Sequence, residues 1–266
     1  MVFRLLQKVN ALPVFALLPS LIAPISMALI PQLNAAVSRG AEDGQGIAVE
    51  TSLRLTVLLA MPASMGIVLF AEPILGLLFS GEPEAIALSA PLLSVLGMSV
   101  LLSGLITTTN AVLQSYRRVV LPIVSMGAGV LIKVISEYFL LGIPKIGALG
   151  APISTLLCNL TVVAINLVFL VRCTKGIRIG FSSLLWRPLV PSVLSVLAAF
   201  AVYLPFSHRL GNGIALMLAI LVAVGLYIAV SFLVGSLKKE DLYLLPFGEK
   251  LMRKRVGKTD QKRCNR

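Results

Sequence analysis

Long uninterrupted runs of apolar residues are the feature that most restricts how this chain can fold. Residues 148–171 and 213–234 contain no charged side chain. A bilayer core is about 30 Å thick and takes roughly 20 apolar residues to cross as a helix, which satisfies its own backbone hydrogen bonds. The chain is 58% hydrophobic and 13% charged, whereas soluble domains carry about 25% charged residues. We therefore predict an all-α integral membrane protein, a bundle of transmembrane helices.

Seven apolar blocks of this kind predict about seven transmembrane helices. The third block can extend to Leu113, because the polar side chains of residues 107–110 can hydrogen-bond within a helix or to a neighbouring helix. The sixth block is short and contains prolines, so it is the least regular of the set. The blocks are Leu12–Pro31, Leu53–Phe70, Ala85–Leu105, Val119–Leu141, Ala148–Val171, Leu189–Phe206 and Gly213–Val234.

Basic and acidic loops alternate along the chain, and this alternation predicts an orientation. Arg117 and Arg118, the loop 172–187 and the tail 238–266 are basic, whereas the loop after the second block carries Glu72 and further glutamates but no basic residue. Lys and Arg near helix ends favour the cytoplasm. We predict a multi-pass protein of the cytoplasmic membrane whose C-terminus is cytoplasmic and whose glutamate loop is outside.

The basic residues near the amino terminus do not fit this orientation. Seven crossings place Arg4 and Lys8 outside, where basic residues are disfavoured. We expect from this that the chain is the later part of a longer membrane protein. Half of the net charge of +12 comes from the tail, which favours contact with anionic membrane lipids over nucleic acid.

Two segments between the blocks have patterns of their own. The segment Gln32–Arg54 is polar and helix-permissive, with Gly40, Gly44 and Gly46 as breaks, and we predict that it lies on the inner membrane surface. The segment Ala71–Ala85 contains an apolar piece too brief to cross a bilayer. It predicts an interfacial or re-entrant segment on the outside.

Lys133 and Glu137 are opposite charges placed inside the fourth apolar block. At spacing four they share one helix face, and each ionised group costs at least a few kcal/mol there unless it is paired or hydrated. The pair is either self-neutralised and locks its helix to a neighbour, or it lines a hydrophilic path for an anionic or polar substrate. Asn110 and Asn159 are further candidates for a substrate cavity, although a helix-to-helix hydrogen bond is the favoured interpretation for each, as it is for Asn166.

Small residues predict where helices approach closely. Gly150, Ser154 and Cys158 form one stripe, and a second lies beside it at Gly147, Ala151 and Thr155. The segment Ser125–Gly129, "SMGAG", has the same character. Small side chains let two backbones pack tightly in lipid, where no hydrophobic effect drives helices together.

The chain offers little for catalysis or for binding a metal. Its three cysteines have no ligand or disulfide spacing, His208 is its single histidine, and it contains no Gly-rich phosphate loop. We therefore expect no enzymatic activity, no catalytic residue, no metal and no cofactor.

Four segments resemble a known family. These are "LIPQLNAAVSRG", "RLTVLLAMPASMGIVLFAEPILGLLFSGE", "NAVLQSYRRVVLPIV" and "IKVISEYFLLGIPKIGALGAPISTLLCNL". They are similar to the second half of proteins in the polysaccharide and lipid II flippase branch of the multidrug/oligosaccharidyl-lipid/polysaccharide exporter superfamily, in particular the stage V sporulation protein B type. Such members often carry a lysine at the position of Lys133 and commonly an asparagine at that of Glu137, so the glutamate is a departure.

The resemblance implies a fold of about fourteen helices, with two six-helix lobes around a cavity and two additional helices at the end. It implies that residues 1–173 supply five spans of the second lobe, residues 174–236 the two additional spans, and residues 237–266 a basic cytoplasmic tail. It also implies alternating-access transport of a lipid-linked oligosaccharide or polysaccharide precursor, together with a missing N-terminal lobe as a partner. Two alternatives stay open: a cation-coupled multidrug exporter of the same superfamily, and a non-transporting membrane scaffold.

Overall fold

The computed structural model describes residues 42–78, 83–143, 146–173 and 181–233. This part of the chain is an all-α membrane bundle, as predicted. The first apolar block, Leu12–Pro31, and the basic tail lie outside the described residues. The helices are α1 (Glu42–Leu69), α2 (Ala71–Leu78), α3 (Pro83–Ser115), α4 (Val120–Leu141), α5 (Gly150–Cys173), α6 (Phe181–Leu210) and α7 (Asn212–Leu233), and a 3-10 turn at Gly147–Leu149 precedes α5.

Six helices in the described ranges are long and apolar enough to cross a membrane. They correspond to the second through seventh apolar blocks, so those six predictions are confirmed. The third span runs on to Ser115, beyond Leu113, and the sixth block lies in a continuous 30-residue helix despite its prolines. The spans are Val49–Leu69, Ile86–Ser115, Val120–Leu141, Gly147–Cys173, Trp186–Ser207 and Asn212–Leu233.

The prediction that Gly44 and Gly46 break the chain before the second block is wrong. Both lie inside α1, which begins at Glu42, eleven residues before the apolar block. A glycine costs a helix interior only about 1 kcal/mol. Val49 and Leu53, which are fully buried one and two turns further on, hold the helix in the bundle.

The short helix α2 matches the piece predicted to be too brief to cross. Its eight residues extend for about 12 Å. Ala71 and Leu75 are buried against Leu93 of α3, so α2 is packed onto the bundle. Its position at an outer membrane surface stays a prediction.

The long helices pack on one another in the order α4, α5, α3, α1, α6, α7. A first apolar cluster joins α1, α3 and α5 around Leu53, Val112 and Leu170. A second joins the other end of α1 to α6 and α7 around Phe70 and Ala199. The α6–α7 pair is thus packed onto α1 through a core of its own.

Hydrogen bonds between helices show their relative directions. Residues 56 and 64 of α1 bond to residues 108 and 97 of α3, so these two helices are antiparallel. Residues 103 and 109 of α3 bond to residues 159 and 166 of α5, so those two are parallel. Arg117, Arg118 and Arg172 consequently share one end of the bundle, and Glu72 and Glu84 the other. The positions of these loop residues agree with the predicted alternation of loops, although Glu50 near the start of α1 also lies toward the arginine end. Which end is cytoplasmic stays a prediction.

Pro62 removes one backbone hydrogen bond from the middle of α1. Because proline has no N–H, the carbonyl oxygen of Leu58 lacks its usual helical donor. The hydroxyl of Tyr227 on α7 donates to that oxygen at 2.5 Å, and the tyrosine is buried. A side chain 169 positions along the chain therefore compensates for the proline.

Glycines allow α4 and α5 to approach closely. A Cβ atom added to Gly129 would overlap Cγ2 of Val162 and lie 3.2 Å from Sγ of Cys158. A Cβ atom added to Gly150 would lie 3.1 Å from the backbone carbon of Leu140. The packing predicted from the Gly150 stripe and from the segment Ser125–Gly129 is confirmed at these contacts.

Replacing Tyr227 by Phe should leave the Leu58 carbonyl oxygen unpaired in apolar surroundings. We expect the free energy of unfolding to fall by about 1–3 kcal/mol, measured by denaturant titration of the purified chain in detergent micelles. Pro62→Ala restores an N–H to the helix, so Tyr227→Phe should cost much less in that background. Equal costs in both backgrounds would contradict the pairing of proline and tyrosine.

Gly129→Ala should destabilise the α4–α5 contact by about 1–3 kcal/mol, the usual cost of overpacking. Gly127→Ala is the matched control, since nothing lies within 4 Å of its added Cβ atom, and alanine is the better helix former by up to about 1 kcal/mol. Thermal unfolding in detergent should therefore show a lower midpoint for the first variant and an unchanged or higher one for the second. Similar midpoints would argue against close packing at Gly129.

Candidate functional site

The helix α4 touches the rest of the described bundle along one narrow stripe. Its buried residues are Pro122, Ser125 and Gly129, which face α5. Lys133 and Glu137 are half-buried and lie beside that stripe on a helical wheel, in line with Met126. The two charges therefore flank the α4–α5 contact and do not point directly away from it.

Both charges lie within the apolar length of the span. With a rise of about 1.5 Å per residue, Lys133 is about 4 Å and Glu137 about 10 Å from the midpoint of α4, toward the end that carries Glu72. No ion pair within 4.0 Å joins them in the described part of the chain. The structure thus does not show the self-neutralised pair, and each charge needs water, a substrate or another protein group nearby.

A cleft separates α3 from α4. Both helices pack extensively on α5 but make little contact with each other. Near the turn that joins them, Nδ2 of Asn110 on α3 lies 3.9 Å from Sδ of Met126 on α4, so the Met126 side of α4 faces α3. We call the space between these two helices, with α5 as its floor, the α3–α4 cleft; by helical spacing Lys133 and Glu137 lie on the side of α4 that borders it.

A buried polar cluster, the Asn166 node, closes the cleft near the turn. Asn166 of α5 is fully buried, and its Nδ2 donates to Oγ1 of Thr109 at 3.0 Å and to Oδ1 of Asn110 at 2.7 Å. Oγ of Ser125 on α4 donates to Oδ1 of Asn166 at 2.5 Å. One side chain thereby links three helices.

A second polar contact lies further along the floor of the cleft. Nδ2 of Asn159 donates to Oγ of Ser103 on α3 at 3.1 Å. Asn110 and Asn159 thus both make the helix-to-helix hydrogen bonds favoured by the sequence. Both are also half-buried, and their role in lining a substrate cavity stays a prediction.

Asn110 and Asn159 contact neighbouring helices at the cleft, and the helical wheel places Lys133 and Glu137 on the same side of α4 as Met126; that the four form one site stays a prediction. Lys133 lies within electrostatic range of Cys158 on α5, the residue before Asn159. Sequence reasoning missed Ser103 and the pairing of Thr109 with Asn166. Hydroxyl groups of this kind give little signal, because a helix can satisfy them through its own carbonyls, as Leu105 does for Thr109.

Within the described ranges, no group of three or more His, Cys, Asp or Glu residues is placed to hold a metal ion. The charged groups of the cleft are one ammonium and one carboxylate. Such groups can bind an ion or a polar headgroup electrostatically.

A protein-family model named MatE matches residues 10–139. The match extends through α4 as far as Glu137, but it ends before Asn159 and Asn166 on α5. It therefore covers Asn110, the two charged candidates and both walls of the cleft, while the floor lies outside it.

Two curated relatives are similar to most of the chain. One is named "Uncharacterized membrane protein YabM", from Bacillus subtilis, and is 28% identical over 237 residues. The other is named "Probable lipid II flippase MurJ", from Bdellovibrio bacteriovorus, and is 26% identical over 220 residues. The alignments cover 85% and 79% of this chain but only 42% and 41% of the relatives. The chain thus spans about two fifths of their length, and no solved structure matches it.

Asn166→Ala should weaken the bundle more than Asn159→Ala. Hydrogen bonds between membrane helices contribute about 0.6 kcal/mol on average, and Asn166 makes several while fully buried. We expect the free energy of unfolding to fall by about 1–2 kcal/mol for Asn166→Ala and by about 0.6 kcal/mol for Asn159→Ala, measured by denaturant titration in micelles. Equal losses of unfolding free energy in the two variants would contradict the conclusion that Asn166 links three helices.

Proposed function

We propose that the chain belongs to a membrane transporter that flips a lipid-linked cell-wall or polysaccharide precursor across the cytoplasmic membrane. The observation that carries this proposal is the α3–α4 cleft, in which Lys133 and Glu137 lie at membrane depth without pairing to each other. The match to the MatE model and the similarity to a probable lipid II flippase support it. The membrane location rests on the six apolar spans. We also propose that the transporter is of the stage V sporulation protein B type.

The chemistry of the cleft suits such a substrate. A diphosphate-linked saccharide cannot cross about 30 Å of hydrocarbon unaided. In our proposal Lys133 binds the diphosphate, and the amides of Asn110 and Asn159 give the sugar polar contacts. The lipid tail stays in the bilayer beside the exposed apolar face of α4, where Val134 is 61% and Leu131 65% exposed.

Transport requires the cleft to face each side of the membrane in turn. In the proposed mechanism α1 to α5 belong to one lobe, which rocks against a second lobe around the bound headgroup. The second lobe is a further part of the proposal, as are the lipid-linked substrate and the cytoplasmic position of the basic end.

The test is binding of a polyprenyl diphosphate-linked disaccharide to the detergent-purified chain, measured by native mass spectrometry. Lys133→Ala removes a charged hydrogen-bond donor, worth about 1.5–3 kcal/mol, so affinity should fall about tenfold or more. Lys133→Glu should weaken binding further, because it places a carboxylate beside the diphosphate. Val130→Ala, which trims the same side of α4 without changing charge, should bind as the unmodified chain does.

Flipping of a fluorescent analogue, followed in vesicles that contain the transporter, should fall in the same order. An uncharged polyprenol serves as a ligand control, since its binding should not depend on Lys133. If both Lys133 variants bound and flipped the substrate as well as the unmodified chain does, the proposal that Lys133 binds the diphosphate would be refuted.

A further inference from the structure

The turn between α3 and α4 holds an arginine in a backbone conformation that favours glycine. The N–H of Arg118 donates to the carbonyl of Leu113 at 3.0 Å, and the N–H of Arg117 to that of Gln114 at 2.9 Å. This is the Schellman pattern, in which the residue after the helix takes a left-handed conformation and is usually glycine. Arg117 has φ +57 and is the one described residue other than glycine with positive φ. A strained arginine kept at such a position points to a use for its side chain.

Three exposed arginines share this end of the bundle. Arg117 and Arg118 are exposed in the turn, and Arg172 is exposed in the last turn of α5. The ends of α3 and α5 are close together, since Tyr116 packs against the apolar cluster that contains Leu170. Burial and, to a lesser degree, the charge of the nearby Cys173 raise the pKa of Tyr116. Among the described residues no acidic side chain forms an ion pair with these three arginines.

Apolar surface adjoins the arginines. Val120 is 68% and Ile123 is 65% exposed in the first turn of α4, and Val171 next to Arg172 is 50% exposed. The turn joins two membrane spans, so its arginines lie at the depth of lipid headgroups. A positive group beside exposed apolar side chains matches a phosphate that carries acyl chains better than it matches a soluble anion.

We propose that Arg117, Arg118 and Arg172 bind the phosphate headgroup of an anionic phospholipid, whose acyl chains lie along the first turns of α4. The site is at the opposite end of α4 from Glu137 and is independent of the transport proposed above. A bound lipid would hold the α3–α4 turn in place, at the closed end of the cleft.

The test compares the full chain in nanodiscs of phosphatidylcholine with nanodiscs that also contain phosphatidylglycerol. Phosphatidylglycerol should raise the midpoint of thermal unfolding, and native mass spectrometry should detect retained phosphatidylglycerol. In Arg117→Gly the midpoint in phosphatidylcholine should be unchanged or higher, because glycine relieves the strain, while retention of phosphatidylglycerol should fall about fivefold, the expected effect of one basic residue at a membrane surface. Arg117→Lys, which keeps the charge, should retain most of the effect.

Arg187→Gln is the control for loss of charge, since it removes one positive charge at the start of α6, which packs on α1 away from α4. Arg187 makes an interaction of its own, so only the change that phosphatidylglycerol causes in this variant is compared. The Arg187→Gln variant should keep the rise in the unfolding midpoint that phosphatidylglycerol causes. If Arg187→Gln lost as much of the phosphatidylglycerol effect as Arg117→Gly, the effect would come from the overall positive charge of the protein, and the site would be overturned. A rise in the midpoint that is unchanged in Arg117→Gly would also overturn it. A lower midpoint of Arg117→Gly in phosphatidylcholine alone, or a shift of the same size from soluble glycerol phosphate, would also overturn it.

Discussion

Hydrocarbon cannot accept or donate a hydrogen bond, and most of this structure follows from that restriction. Most polar groups within a span find a partner in protein, because an unsatisfied one costs several kcal/mol; the buried hydroxyl of Ser99 is an exception. Many hydroxyls use a carbonyl of their own helix, as Thr161 and Ser136 do. The remaining groups cross between helices, and the Asn166 node and the Tyr227 bond hold neighbouring helices in register where lipid provides no hydrophobic effect between them.

The spans could be located from the sequence because crossing a bilayer is a property of local length and apolarity. The helix ends could not, since the interface tolerates polar residues and glycines that a hydropathy block excludes. This is why α1 begins at Glu42, well before the block at Leu53, and why α3 runs on to Ser115. Prolines did not mark the helix ends either, because α6 is continuous through its three prolines.

The chemistry of the candidate site was visible in the sequence, whereas its arrangement was not. A charge at membrane depth is costly, so Lys133 and Glu137 stand out on their own. The partners of Asn166 lie 41 to 57 residues away along the chain, and only the packing of three helices brings them together. Charge spacing allowed either an ion pair or a polar lining, and the structure shows no ion pair within 4.0 Å between these two described side chains.

The bond from Tyr227 to Leu58 links the last described helix to the first. It spans the division predicted between residues 173 and 174, so the carboxyl-terminal helix pair supplies a hydrogen bond that α1 lacks because of its own proline. During synthesis α1 enters the membrane long before α7 exists, and until then the oxygen of Leu58 has no tyrosine hydroxyl to accept from. The middle of α1 therefore reaches its final state only once the end of the bundle has been made.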